Sequence, residues 1–165
     1  MDYPFSDEQR TLQSLAQRIA TEHLRPRADQ TDRDARFPQE SFQELGNAGL
    51  MGLNIPRRYG GLEADMLSIV LVLEALAKEC PSTAMCFKMY LEAVNPLSQV
   101  ATADQAERFL RPIARGELLM SVAANEPTGG RPLQSLARPV EGGFLVENAQ
   151  KAFVTSSHHS QLFLF

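Results

Sequence analysis

Apolar residues first recur along the chain at helical spacing. Leu12, Leu15, Ala16, Ile19, Ala20 and Leu24 fall on one face in the three-four rhythm of an amphipathic helix. His23 shares that face, where a packed, hydrogen-bonded imidazole is expected rather than a catalytic one. Ser6 and Gln9 make a capping box at the start, and Pro26 ends or bends the helix. A short second helix is predicted from Pro38, with Phe42, Leu45 and Ala48 inward and Gly46 and Gly49 weakening and ending it. The stretch GLMGLNIPRRYGGLEAD reads as a loop with a brief extended piece. Asp65 then caps a helix over about Met66 to Glu79 that is apolar on nearly all sides, which predicts a place at the centre of a helical domain. Pro81 breaks the chain, and a fourth helix runs from Ser82 to about Val100. Thr102 and Gln105 repeat the capping-box pattern before a fifth helix, which Pro112 bends and Gly116 ends.

Beyond Glu117 the period shortens. LLMSVAA, LARPVE, FLVEN, KAFVT and QLFLF read as strands, with Gly142-Gly143 as a hairpin turn between the second and third. A run of helices followed by a run of strands marks a domain boundary, here an all-α domain over 1–117 and the start of a β-domain over 118–165. A few strands with an apolar open edge expect further strands, from more chain or from a partner.

Composition narrows the function classes. The 165 residues are 44% hydrophobic and 22% charged with a formal net charge of −4, which is ordinary for a globular domain. No basic stripe points to nucleic acid. The longest apolar stretch, MLSIVLVLEALA, is too short for a membrane span, and the acidic MDYPFSDEQR lacks a signal core, so the cytoplasm is the expectation. Cys80 and Cys86 have neither CxxC spacing nor a nearby His, and read as reduced core thiols. His158 and His159 are adjacent, so on a strand they point to opposite faces; a surface turn is expected there and no metal site.

Three segments in order carry a resemblance: GLMGLNIPRRYGG, VAANEPTGG and QKAFVTSS. Together they resemble the N-terminal half of an acyl-CoA dehydrogenase, over essentially the whole chain. The resemblance implies a mainly α N-terminal domain followed by an incomplete antiparallel β-barrel, within a multidomain architecture whose C-terminal helical bundle has no counterpart here. It implies FAD as cofactor and the introduction of an α,β double bond into acyl-CoA or another acyl thioester, as in fatty acid metabolism. An electron-transfer flavoprotein would reoxidise the flavin, and a homo-oligomer or hetero-oligomer is implied. The catalytic base is a glutamate of the missing bundle, so no catalytic residue is assigned here and the chain alone is expected to be inactive.

The same resemblance assigns cofactor-binding positions one by one. Val122, Ala124 and Asn125 match the strand bordering the flavin ring, with Asn125 where the family has threonine. Gly130 matches the glycine that admits the backbone to the flavin's phosphate region, and Arg131, with Pro132, stands where the family has Ser-Asp and is suited to pair with phosphate. Phe153 matches the aromatic lying against the flavin ring, and Thr155 the hydroxyl near its reactive nitrogen. Glu126 is the only carboxylate within these motifs, and the family reading makes it structural. Leu91, Val94 and Asn95 are candidates to line an acyl tail, with core packing as the equal alternative. Two other functions share this front half: a flavin-dependent monooxygenase relative, and a non-catalytic truncated subunit that pairs with another chain.

Overall fold

The structure, a computed structural model, describes residues 4–127 and 134–165. Helix α1 (Asp7–Ile19) starts at the expected capping box: the Gln9 N–H donates to Ser6 Oγ at 3.1 Å and the Ser6 N–H to Gln9 Oε1 at 2.9 Å. Pro26 does not stop the helix. A π turn over Ala20–Leu24 carries it into α2 (Arg25–Arg33). A proline has no N–H to give and its ring presses on the carbonyl four residues back, so one widened turn accommodates it at lower cost than a break. The same device recurs at Pro112, where α6 (Ala103–Gln105) passes through a π turn at Ala106–Leu110 into α7 (Arg111–Ala114).

Between them lie α3 (Gln39–Asn47), α4 (Met66–Glu79) and α5 (Pro81–Val100). Asp65 caps α4 as expected, accepting from the Ser68 N–H at 2.7 Å. The central helix, however, is α5 and not α4. Phe87, Tyr90 and Val94 of α5 are buried, and the Tyr90 hydroxyl donates to the Met51 carbonyl at 2.7 Å, tying α5 to the glycine-rich loop. Helix α4 buries only one face, through Leu71, Val72, Ala75 and Leu76, while Met66 is 72% exposed. Its sequence is uniformly apolar, but the contacts that decide burial come from α1 and α5 on a single side. Leu91 and Val94 belong to the core, and Asn95 is exposed.

The loop's Gly-Gly pair answers two separate needs. Gly60 takes φ +86°, a left-handed conformation that ends the turn at Arg57–Tyr59. Gly61 has ordinary φ, but a Cβ there would stand 2.1 Å from the Ile55 carbonyl oxygen.

Among the described residues four short strands follow: β1 (Met120–Val122), β2 (Leu136–Val140), β3 (Gly143–Glu147) and β4 (Leu162–Leu164). Strands β2 and β3 form the expected antiparallel hairpin, one residue out of the expected turn: Val140 pairs Gly143, so Glu141 and Gly142 turn the chain, with Gly142 at φ +80°. Strands β1 and β4 are parallel neighbours, Met120 opposite Leu162, because the hairpin and the segment after it serve as the crossover that parallel pairing requires. KAFVT, expected as a strand, is irregular. Phe153 and Ser156 have φ +55° and +63°, which no ladder accepts. The molecule is therefore a helical domain followed by a small sheet region that does not close, consistent with an incomplete barrel. No described helix is long and apolar enough to cross a membrane.

Replacing Gly61 by alanine forces the new methyl into the Ile55 backbone. We expect a loss of about 3 kcal/mol, the upper range for overpacking, read as a lowered urea midpoint; an unchanged midpoint would mean the loop is not packed this way.

Candidate functional site

The fold brings the second and third motif segments side by side. The Ala123 N–H donates to the Leu164 carbonyl at 2.8 Å, continuing the β1–β4 pairing, and the Ala152 N–H donates to the Asn125 carbonyl at 2.8 Å. Buried Ser121, on β1, donates through Oγ to the Thr155 carbonyl at 2.6 Å and lies 2.6 Å from Ser160 Oγ. Ser160 Oγ in turn lies 3.1 Å from the Ser156 carbonyl. Segment 121–126 and segment 151–156 thus form one unit, fixed by backbone and hydroxyl contacts.

On its outer side this unit presents Phe153. The ring is 90% exposed, on a backbone at φ +55°, which is unusual for a bulky side chain. Ala124 and Asn125 are exposed as well, while Val122 and Thr155 are half-buried. Phe153 also borders a shallow open cleft with Ala123, Lys151, Val154, Phe163 and Phe165. A bare aromatic face, held in strained backbone and flanked by exposed polar and small residues, is chemically suited to receive a flat ring. Gly130 and Arg131 lie outside the described residues.

Behind the platform sits Glu126, almost fully buried. Its carboxylate accepts from four donors: the Gln134 N–H at 2.6 Å, the Ser135 N–H at 2.9 Å, Ser135 Oγ at 2.6 Å and Lys151 Nζ at 3.0 Å. The Ser135 hydroxyl foremost, then these N–H groups and Lys151, hold its pKa down to about 2. Three of these donors crowd Oε1, while Oε2 accepts from the Gln134 N–H.

The remaining candidates are placed as follows. His158 and His159 occupy a short turn, Ser157–His159, and are exposed; the His159 ring stacks on Phe37 at 4.3 Å. Cys80 is buried with Sγ 3.1 Å from Thr83 Oγ1, and Cys86 is half-buried, its pKa raised by burial; both are free thiols. His23 is half-buried, 3.7 Å from Glu44. Sequence reasoning missed Ser121 and Lys151. The available signal was a lone hydroxyl and a lone cation inside otherwise apolar strand-like runs, LLMSVAA and KAFVT.

Comparisons with known proteins place the chain in a family. The family described as acyl-CoA dehydrogenase, N-terminal domain, matches residues 6–117. The chain belongs to the acyl-CoA dehydrogenase family. It is similar to the short-chain specific acyl-CoA dehydrogenase of Clostridium acetobutylicum, at 28% identity over 99% of this chain and 44% of that protein. It superposes on the butyryl-CoA dehydrogenase of Megasphaera elsdenii with a TM-score of 0.89 at 27% identity, covering 99% of this chain and 44% of the other. It also superposes on an FAD complex of PigA, with a TM-score of 0.88 at 26% identity and the same coverage. The chain thus spans less than half the length of the relatives it matches.

Glu126 gives a pH prediction. Its folded pKa lies below the ordinary carboxylate value of 4.5, so its contribution to stability is complete above that value and is lost as pH falls from there towards 2. Urea unfolding of the wild type should show a steeper loss over that window than E126Q does; equal slopes would contradict the buried clamp.

Proposed function

We propose that this chain is the flavin-facing front part of an FAD-dependent oxidoreductase acting on acyl thioesters. The observation that carries the reading is the Phe153 ring, 90% exposed beside the exposed Ala124 and Asn125. Family membership supplies the context. In this reading residues 1–117 form the helical domain and 118–165 open the β-domain.

When bound, FAD supplies the two-electron acceptor chemistry. The chain's own residues bind and orient it. Phe153 offers the stacking face, and Val122 and Ala124 border the ring with strand backbone. Asn125 and Thr155 supply hydrogen-bonding groups from two sides. Gly130 and Arg131 are assigned to the phosphate side. The substrate is acyl-CoA or another acyl thioester, into which an α,β double bond is introduced. The proton is taken by a glutamate outside these residues. An electron-transfer flavoprotein is the proposed electron acceptor, an oligomer the proposed assembly, and the cytoplasm the proposed compartment.

Titrating the chain into FAD and following flavin fluorescence tests this. We expect quenching on binding, and for F153A an affinity about tenfold lower, the scale of one aromatic stacking contact. The unfolding midpoint of F153A should barely move, because the ring is exposed. Absence of quenching by the wild type, or a wild-type affinity for F153A, would overturn the assignment.

A further inference from the structure

Phe153 occupies a backbone conformation that a bulky side chain does not choose for itself. Such a conformation persists only where the surroundings over-determine it. Three anchors bracket it. Ahead of it, Lys151 Nζ reaches Glu126 Oε1 at 3.0 Å, and the Ala152 N–H reaches the Asn125 carbonyl at 2.8 Å. Behind it, the Thr155 carbonyl is held by Ser121 Oγ at 2.6 Å. Only Phe153 and Val154 are left between the anchors to absorb the turn.

The Lys151 anchor differs in kind from the others. It is an ion pair whose side chains are 9% and 3% exposed. The same ammonium stands 4.8 Å from the centroid of the Phe165 ring, beside the end of β4. Lys151 is not the carboxylate's only partner. Gln134 and Ser135 already donate to both oxygens of Glu126. What Lys151 adds is a tie between that preformed carboxylate and the segment carrying Phe153. We infer that Lys151, held by Glu126, is a positioning residue that fixes the Phe153 turn and so aims the aromatic ring. The geometry stands on its own; the purpose rests on the flavin reading above.

Without Lys151 the carboxylate keeps three neutral donors but loses its paired cation, so K151M costs some stability, and K151R is the control that keeps the charge; methionine retains the apolar stem. The test is amide hydrogen exchange on the 165-residue chain, combined with FAD titration, for the wild type, K151M and K151R. K151M should speed exchange at the Ala152 amide about tenfold or more, the scale of a lost charge-assisted hydrogen bond, while the α5 amides keep their wild-type rates. It should also weaken FAD binding and reduce the flavin quenching reached at saturation. K151R, which keeps the charge, should recover most of both effects. Wild-type exchange at Ala152 in K151M would overturn the inference, as would acceleration in α5 to the same extent, which reports global unfolding. If the wild type binds no FAD, the flavin reading falls, while selective acceleration at Ala152 still upholds Lys151 as the residue that sets the turn.

Discussion

One buried carboxylate organises the sheet region. Glu126 gathers donors from the entry to the hairpin and from the segment after it, and sits itself at the exit from β1. These stretches are too short to build a core of their own. Every residue of β2 is exposed, so hydrophobic burial cannot fix their mutual position. A desolvated charge with a full set of donors can, because each donor removed leaves part of the carboxylate unpaired. The helical part works oppositely. There a continuous apolar core, centred on Phe87, Tyr90 and Val94 of α5, decides the packing, and polar groups serve mainly as caps.

The two regimes meet at the platform. β1 and β4 pack against α5, and the irregular segment 148–156 is tied to the β1 segment by side-chain and backbone contacts. A rigid base with a polar clamp above it allows a large aromatic ring to stay in solvent on strained backbone. Without such a base the ring would collapse onto the nearest apolar surface. Fixing a surface ring in advance is also what binding a flat cofactor requires, since ordering it on binding would cost affinity.

Local chemistry made much of the helical domain legible in the sequence. Both capping boxes, the Asp65 cap and the long helix after Pro81 are set by residues three or four apart, and they stand where the pattern puts them. Pro26 was legible only as a disturbance, because whether a proline breaks a helix or widens it depends on what packs on either side. The burial of α4 was not legible, since an all-apolar helix carries no mark of which face its neighbours will cover. The site divides in the same way. The order of the motif segments could be read from resemblance. The irregular course of KAFVT could not, because the positive φ of Phe153 is imposed by Ser121, Asn125 and Glu126, all far away in sequence.

In the proposed function the paired segments 122–125 and 152–155 receive a flavin ring. Chemical-shift mapping of the isotopically labelled chain, titrated with FAD, tests it most directly. We expect ring-current shifts concentrated on Val122 to Asn125 and Ala152 to Thr155, with the α5 core silent. Shifts confined to other surfaces, such as the groove between α3 and His159, or no shifts at all, would contradict it.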